Sequence, residues 1–394
     1  MERQTMTPPG QLATDETLPV VTAEPAALAL RAVHRAMAEL RRGTPVLLRG
    51  ADACLLVVAA ETAGARGLAD LASAALGAPV LLLAPARAAA VLHRPVPHAV
   101  DDEGAVALRL PPALLAPEAL RSLADPTAER LLPEAPERVA VPALAQAAIA
   151  LAKLGRLLPA LVAAPATEAG ADRRGLLTVQ AADVLAYPTT AATTLTRVAE
   201  ARVPLEDAPE ARIVAFRAAD GGIEHLAILV GDPERTAAEG GAPLVRAHSE
   251  CFTGDLLGSL RCDCGPQLRG AIARMAQDPA GGVLLYLAQE GRGIGLVNKL
   301  RAYTLQDGGL DTLDANRALG YGADERNFLV AATMLRAVGV ERVRLLTNNP
   351  DKIAGLSACG IAVQGREAHA FDPNGVNDGY LKTKARRFGH LLPE

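Results

Sequence analysis

The chain has 394 residues, more than one hydrophobic core usually organises, so two domains are expected. A formal net charge of −4 argues against a nucleic-acid-binding protein, which normally carries a basic face, so any anionic ligand must be held by local positive charges. The N-terminal residues lack the apolar segment of a signal peptide, and charged residues or proline interrupt the Ala/Leu-rich stretches before membrane-spanning length. We therefore expect a soluble cytoplasmic protein with no nucleic-acid or membrane partner.

Aromatic residues make up 3% of the chain and are unevenly placed. Tyr187 is the first of them, so all five Phe and all five Tyr lie from that position onward. This break indicates that two modules of different history meet near residues 165–200. We place a disordered leader, rich in Pro, Thr and charge, at 1–20, a first domain at 21–192 and a second domain at 193–394.

The first domain has the alternating helices and strands of an α/β fold. Apolar positions recur at helical spacing from Pro25 to Arg42, and Gly43 ends the run. Buried strands are predicted in TPVLL, ACLLVVAA and GAPVLLLAP, and the alternation continues through ALAQAAIALAKLGRLLPALVAAP. Cys54 and Cys359 have no nearby partner cysteine and are interpreted as buried free thiols.

The second domain repeats this α/β rhythm. The pattern predicts a helix from Pro266 to Gln277, a strand in GVLLYLA and a helix from about Ile294 to Gln306. A helix, strand, helix and strand are then predicted between Glu325 and Val363. The polar signals of this domain fall at the junctions between elements, which is where α/β proteins place ligands.

Three cysteines form a C-x10-C-x-C pattern in LVRAHSECFTGDLLGSLRCDCGPQ. Cys251, Cys262 and Cys264 indicate a zinc site, and three protein ligands with an open fourth position are typical of catalytic zinc. His248, on an apparent strand, could be a fourth ligand or could point away. The alternative, three small buried thiols, would not explain their clustering among Asp, Glu and Arg.

Two junctions carry candidate anion-binding residues. In QEGRGIGL, Glu290 and Arg292 precede a helix whose first amides could receive phosphate oxygens, and the glycines permit close backbone approach. The glycine spacing does not match a dinucleotide fingerprint. In LLTNNPDK, Thr347 and Lys352 flank a helix start at which Asn and Pro are explained equally well by capping.

A third junction, GYGADERNF, precedes another predicted helix. Asp324 is expected to be its N-cap, which needs no function. Arg326 is expected in the first turn, where the helix dipole disfavours a cation. A bound phosphate would offset this conflict, and an exposed surface arginine is an equal alternative.

These motifs together resemble GTP cyclohydrolase II, the zinc enzyme that opens guanine at the start of riboflavin synthesis. The resemblance covers about residues 195–394 and rests on HSECFTGDLLGSLRCDCG, LLYLAQEGRGIGLVNKLRAYTLQD, TLDANRALGYGADERNF, VRLLTNNPDKI and YLKTKARRFGHLL. It implies one Zn²⁺ on Cys251, Cys262 and Cys264, Mg²⁺ with the GTP phosphates, and a homodimer. It implies a GTP site lined by Arg246, Ala247, His248, Ser249, Glu250, Gln267, Glu290, Gly291, Arg292, Thr312, Thr347 and Lys352.

The resemblance also implies a reaction. GTP would lose formate and pyrophosphate to give 2,5-diamino-6-(5-phosphoribosylamino)pyrimidin-4(3H)-one, with Asp324 as proton acceptor and Arg326 as nucleophile or phosphate-binding arginine. We favour an electrostatic role for Arg326, because an arginine of ordinary pKa is a poor nucleophile. Tyr303 would orient or protonate a ring nitrogen. The alternatives are an inactive GTP-binding or regulatory protein and a reaction that stops at the formamidopyrimidine.

The first domain resembles dihydroxybutanone phosphate synthase, which is commonly fused ahead of GTP cyclohydrolase II. The acidic run of that family corresponds here to RGADACL, with Asp52 as its one acid, and its histidine position corresponds to Leu144. We therefore expect a scaffold without that chemistry, although a bifunctional enzyme with residual synthase activity is the alternative. Asp52 and Glu61 are expected to be surface or capping acids, and the basic run Lys382 to Arg387 a solvated helix face rather than a substrate cover.

Overall fold

We describe the fold from a computed structural model of the chain, for residues 25–93, 96, 104–128 and 135–391. The proposed leader at 1–20 lies outside the described residues. Within those residues, no helix combines the length and apolarity needed to cross a membrane.

The first domain is a seven-stranded sheet flanked by helices, with strand order β5-β4-β3-β6-β2-β1-β7. Its strands are β1 (Val46–Arg49), β2 (Cys54–Ala59), β3 (Val80–Leu83), β4 (Val106–Arg109), β5 (Glu137–Val139), β6 (Ala160–Pro165) and β7 (Leu177–Gln180). Its helices are α1 (Pro25–Arg41), α2 (Ala65–Ala74), α3 (Pro85–Leu92), α4 (Pro117–Ala124), α5 (Ala145–Leu154), α6 (Glu168–Asp172) and α7 (Ala181–Thr193). Neighbouring strands are antiparallel except for the parallel pair β1 and β7.

The central strands of this sheet are apolar on both faces because helices cover both sides. Leu56 and Val58 point into one core, and Leu55 and Val57 point into the core on the other face. This alternation explains why ACLLVVAA is a continuous apolar run rather than an alternating one.

The second domain has its own seven-stranded sheet, with strand order β14-β13-β11-β12-β10-β9-β8. Its strands are β8 (Thr196–Arg202), β9 (Arg212–Arg217), β10 (His225–Val230), β11 (Leu244–Ser249), β12 (Gly282–Leu287), β13 (Arg342–Leu346) and β14 (Ala362–Glu367). Its helices are α8 (Pro233–Ala238), α9 (Cys264–Gln277), α10 (Leu296–Asp307), α11 (Thr312–Ala318), α12 (Phe328–Ala337), α13 (Pro350–Ala358) and α14 (Asp378–Phe388).

Three adjacent strands of the second sheet run parallel and position the site. β11 pairs in parallel with both β12 and β13, so the carboxyl ends of all three strands lie at one edge. The loops that follow them contain the three polar segments 250–264, 288–295 and 347–352. Side chains that are far apart in the sequence therefore converge at this edge, as is usual for ligand sites in such sheets.

The α/β fold with two domains, expected from the sequence, is confirmed, and the structure corrects some local predictions. The helix expected to begin near Asp324 begins at Phe328, and Asn327 is its N-cap, accepting a hydrogen bond from the Leu329 amide at 3.0 Å. Arg326 therefore precedes the helix, so the argument from the helix dipole is wrong. Cys54 and Cys359 are free, as expected, but only partly buried.

The two domains share a hydrophobic core. Five buried residues of the second domain belong to the same cluster as the strands and helices of the first: Ile294, Ala302, Ala315, Leu319 and Tyr321. Because α10 and α11 contribute to this cluster, the second domain completes a core that the first domain would otherwise leave open to solvent.

Candidate metal and nucleotide site

The three cysteines of the motif lie together after β11. The Sγ atoms of Cys251 and Cys262 are 3.7 Å apart, and all three sulfur atoms, including that of Cys264, lie within 4.8 Å of one another. Tetrahedral zinc with Zn–S bonds of about 2.3 Å requires S–S separations of roughly 3.8 Å, so the spacing suits zinc. Among the described residues, no other group of three or more His, Cys, Asp or Glu side chains lies close enough to hold a metal ion.

A glycine makes room for this cluster. A Cβ atom at Gly254 would lie 2.7 Å from the Cys262 sulfur and 2.9 Å from the Cys251 sulfur. Gly254 belongs to a turn of π-helix, Phe252–Leu256, whose geometry lets the Gly254 amide donate to the Cys251 sulfur at 3.3 Å. The motif C-F-T-G-D therefore places a thiol and leaves the space beside it free for a metal ion.

His248 is not part of the cluster. Its Nε2 atom lies 3.1 Å from Asp255 Oδ1, and its ring stacks on Tyr286 at a centroid distance of 5.8 Å. Asp255 also accepts hydrogen bonds from the Cys251 amide and the Tyr286 hydroxyl. The ring nitrogens of His248 face Arg246 and Asp255, which fits the interpretation in which His248 points away from the three cysteines.

Lys299 is a residue of the site that the sequence analysis missed. Its ammonium lies 3.0 Å from Cys251 Sγ, 3.0 Å from Thr253 Oγ1 and 2.9 Å from Glu290 Oε1. Burial alone would lower the pKa of Lys299, but the Cys251 thiolate and Glu290 outweigh burial and raise it, so Lys299 is a cation. Its motif, GLVNKLRAY, could have suggested it, since a lysine on an otherwise buried helix face needs an anionic partner.

The positive charge of Lys299 favours the ionised form of the neighbouring Cys251 thiol. Hydrogen bonds from the other two thiols and then the contact with Lys299 lower the pKa of Cys251, against the effect of burial. Hydrogen bonding to Cys251 raises the pKa of Cys262 to about 11 and also raises that of Cys264. Lys299 therefore favours the thiolate form of Cys251, and a divalent cation bound by all three sulfur atoms would displace the remaining protons, as zinc does at thiol sites.

The segment after β12 adopts a left-handed conformation that aims Glu290 and Arg292 in different directions. Gly291 and Arg292 have φ angles of 62° and 63°, which for arginine is an uncommon conformation. Glu290 points inward and accepts a hydrogen bond from the Phe252 amide at 2.7 Å. The Arg292 guanidinium stacks on the Phe388 ring at 3.7 Å, and burial lowers its pKa.

A second cationic wall comes from β11 and α13. The buried Arg246 guanidinium donates to the Leu346 carbonyl at 3.2 Å and to the Gln267 side chain, and burial lowers its pKa to about 10. Lys352 donates to the Ala247 carbonyl at 2.7 Å, and burial lowers the pKa of this lysine well below its usual value. The Thr347 hydroxyl accepts the Asn349 amide at 3.0 Å, and Asn349 caps α13 as predicted.

Asp324 and Arg326 form an ion pair beside these groups. Arg326 donates to both carboxylate oxygens of Asp324 through Nε, at 2.8 and 3.0 Å. Burial opposes ionisation of Asp324, but the hydrogen bonds and charge of Arg326 prevail and lower its pKa. The ion pair with Arg326 therefore favours the carboxylate form of Asp324.

One cleft, of about 1140 Å³ including its mouth, collects most of the predicted site. It is lined by Arg246, His248, Ser249, Glu250, the three cysteines, Gln267, Glu290, Gly291, Arg292, Tyr303, Thr312, Arg326, Thr347 and Lys352. Ala247 and Asp324 are not among the residues that line it: Ala247 contributes the carbonyl that accepts from Lys352, and Asp324 is paired with Arg326. Burial raises the pKa of Tyr303, whose ring has Lys299 at 5.6 Å and Arg261 at 5.0 Å.

The C-terminal helix α14 also lines the cleft. Lys384 is buried and donates to Asp263 at 2.7 Å, and its ammonium lies 4.3 Å from the Tyr380 ring centroid. The expectation of a solvated helix face is therefore wrong for Lys384, although Lys382, Arg386 and Arg387 are exposed. No periodicity argument could have found Lys384, because its partner lies 121 positions earlier in the chain.

The first domain brings together the two segments that resemble synthase motifs. Leu144 has a left-handed φ of 67°, and its Cδ2 atom would lie 2.8 Å from a Cβ atom at Gly50. An apolar contact thus occupies the place where that resemblance would put a histidine, and Asp52 is exposed as expected. Glu61 contradicts the prediction: it accepts the Leu158 amide at 2.8 Å and pairs with Arg301 of the second domain at 3.0 Å.

The sequence comparisons agree with this geometry. The family model of GTP cyclohydrolase II matches residues 196–368. A GTP cyclohydrolase-2 of Azospirillum brasilense is 50% identical over 376 residues, which is 92% of this chain and 94% of the relative. The chain belongs to the GTP cyclohydrolase II family.

One further relative and one solved structure also match over most of the chain. A GTP cyclohydrolase-2 of Xylella fastidiosa strain Temecula1 is 42% identical over 367 residues, covering 91% of this chain and 87% of the relative. A two-domain 3,4-dihydroxy-2-butanone 4-phosphate synthase from A. baumannii, RibBX, is a solved structure with 20% identity and a TM-score of 0.32 that covers 86% of this chain and 99% of its own. The alignments with the two GTP cyclohydrolase-2 relatives cover more than 90% of this chain, so they include the first domain as well as the second.

Proposed function

We propose that the protein catalyses hydrolytic opening of the guanine imidazole ring of GTP, with release of formate and pyrophosphate, as a step of riboflavin biosynthesis in the cytoplasm. The observation that carries the proposal is a cluster of three thiols at the wall of a cleft that is also lined by six buried or half-buried cations. The cations are Arg246, Arg292, Lys299, Arg326, Lys352 and Lys384.

We assign Cys251, Cys262 and Cys264 as the ligands of one Zn²⁺. Zinc with three protein ligands supplies a Lewis acid and lowers the pKa of water to about 7, which is the chemistry that addition at a ring carbon needs. The sulfur spacing and the space left by Gly254 support this assignment. The ammonium of Lys299 would hold Cys251 and Glu290 in place through its hydrogen bonds, acting as a positioning group.

The cations of the cleft suit a triphosphate. Burial disfavours the charged forms of Arg246, Arg292 and Lys352, so an anionic ligand that enters the cleft restores a favourable environment for these charges. Arg326 can exchange Asp324 for phosphate oxygens, which frees Asp324 to accept a proton. Mg²⁺ would neutralise part of the remaining phosphate charge.

Tyr303 is placed to act on the base, and Glu290 is placed to support the cysteine cluster beside it. Tyr303 lines the cleft on the same helix as Lys299, one turn further along, and its raised pKa keeps it protonated as a hydrogen-bond donor. Glu290 holds the Phe252 amide and so fixes the turn that carries Cys251. Both residues therefore keep a bound purine near the cysteine cluster.

We also propose a homodimer. Several large apolar side chains are exposed in the segment after Cys251 and on the outer face of α10: Phe252, Leu256, Leu257, Leu260, Val297 and Leu300. The segment lies along α10, since Arg261 pairs with Asp307 at 2.6 Å. An exposed apolar surface of this kind is typical of an interaction site. Sedimentation of a monomer at all accessible concentrations would contradict this proposal.

The reaction is tested with purified full-length protein supplied with Zn²⁺, Mg²⁺ and GTP. We expect loss of guanine absorbance, formate and pyrophosphate in equal amounts, and a product that yields a pteridine with diacetyl. The Cys262→Ser protein is the control and should lose zinc and formate release together. Pyrophosphate without formate would indicate a reaction that stops early, and GTP binding without turnover would favour a regulatory protein.

A further inference from the structure

Several polar contacts between the domains involve the loops that carry the candidate catalytic residues. Lys153, at the end of α5, lies 2.7 Å from Glu325 of the second domain. Arg156, three residues later, donates to the Ala288 carbonyl at 2.7 Å, and its own carbonyl accepts from Asn298 at 2.9 Å. The first domain thus touches both the loop after β12 and the loop before α12.

Glu325 connects the two loops. It stands between Asp324 and Arg326 in the chain, and its backbone amide donates to the Arg292 carbonyl at 3.0 Å. Its side chain accepts the Gly322 amide at 2.7 Å in addition to the ammonium of Lys153. Lys153 of the first domain therefore pairs with Glu325, and Glu325 in turn links the segment of Asp324 and Arg326 to the Arg292 carbonyl.

The ion pair between Lys153 and Glu325 is partly buried. The side chains of Lys153 and Glu325 are 19% and 25% exposed, so the pair is largely shielded from water. Without Lys153, Glu325 would lose its ion-pair partner while remaining in the loop that carries Asp324 and Arg326. A change in the conformation of Glu325 would move the backbone that joins Asp324 to Arg326 and that bonds the Arg292 carbonyl.

Arg156 explains one of the loop glycines. Arg156 has a left-handed φ of 56°, and its side chain lies against Gly295, where a Cβ atom would come within 2.9 Å of Arg156 Cδ. Gly295 itself has a φ of 86°. The glycine-rich loop is therefore shaped to receive an arginine of the first domain, rather than only to approach a ligand.

From these contacts we propose that Lys153 and Arg156 are positioning residues for the cyclohydrolase site, so that the first domain serves the second as a support for both catalytic loops. This inference rests on the proposed function. It gives the first domain a present role that needs none of the chemistry its sequence resembles. The hydrophobic core that the two domains share is consistent with this role, because the first domain can position the catalytic loops only if it is rigidly joined to the second domain.

The test compares variants of the full-length protein in steady-state turnover of GTP, with zinc content measured on each sample. Lys153→Met and Glu325→Gln should each lower kcat by about 10- to 100-fold with KM changed by less than about threefold, because misplaced catalytic groups lose transition-state contacts. The double variant should be no slower than the slower single variant, since both remove one interaction. Lys153→Arg should recover part of kcat, and Arg156→Met should lower kcat in the same way.

The matched control is Glu61→Gln. It breaks another ion pair of the same interface, with Arg301, yet its amide oxygen still accepts the Leu158 amide and it does not contact either loop. Glu61→Gln should keep kcat near that of the unaltered protein. If Lys153→Met does not fold, Glu325→Gln gives the same comparison, because its amide oxygen still accepts the Gly322 amide.

The outcomes separate this inference from the proposed function. Unaltered protein that releases formate, with Lys153→Met and Glu325→Gln as active as Glu61→Gln, overturns the positioning role and leaves the cyclohydrolase reaction standing. Unaltered, zinc-loaded protein that leaves GTP intact overturns the proposed function and this inference with it. Equal losses of zinc and kcat in Lys153→Met would also overturn the inference, because they would place the defect at the metal site.

Discussion

Replacing Lys299 with methionine tests whether the lysine beside Cys251 stabilises a thiolate metal site. The substitution keeps the length and apolar stem of the side chain and removes three hydrogen bonds, to Cys251, Thr253 and Glu290. A hydrogen bond from a charged donor contributes about 1.5–3 kcal/mol. The bond to the Cys251 sulfur alone therefore predicts a loss of roughly 10- to 100-fold in zinc affinity, which is also the usual effect of removing a partner of a metal ligand.

The assay is zinc competition against a chromophoric chelator, on protein that was fully loaded and then dialysed. Lys382→Met is the control, because Lys382 is an exposed lysine on α14. In the Lys299→Met protein, Glu290 still accepts hydrogen bonds from the Phe252 and Gly291 amides, so the turn that follows Cys251 should stay folded. Zinc affinity equal to that of the Lys382→Met protein would refute the reasoning about Lys299.

Three further substitutions test other parts of the site. Gly254→Ala should reduce bound zinc severalfold, because the new methyl group would lie within 3 Å of two sulfur atoms. The control is Gly64→Ala, at a position where a Cβ atom would meet nothing within 4 Å. Full zinc content in the Gly254→Ala protein would contradict the steric argument. Arg326→Met should lower kcat by at least about 100-fold while zinc content stays unchanged, as for other transition-state charge contacts, and an unchanged kcat would exclude a role for Arg326. Tyr303→Phe should slow formate release about 100- to 10,000-fold with the fold intact, and equal rates would remove Tyr303 from the reaction.

The elements of the fold were largely predictable because their signals are local. The helix predicted from Pro25 to Arg42 is observed as Pro25–Arg41, and the strand in GVLLYLA is observed as Gly282–Leu287. The start of α12 was predicted wrongly, because two residues, Asp324 and Asn327, both have side chains suited to capping. Asp324 is instead held by Arg326, a choice that depends on the tertiary surroundings.

The candidate site was predictable where its residues follow one another in motifs, and not where it is assembled from distant elements. The cysteine spacing indicated the cluster that the structure brings together. Lys384, Lys153 and Arg156 carry no local signal, since each acts on a partner more than 100 positions away in the chain. Their roles become visible only when packing places α5 and α14 against the loops of the second sheet.

The most direct test of the account measures zinc content and formate release on the same preparation of full-length protein. We expect one zinc per chain and formate production from GTP that disappears when zinc is removed by chelation and returns when zinc is restored. Zinc-loaded protein that binds GTP but releases no formate, or protein that releases formate at an undiminished rate with no zinc bound, would contradict the central claim.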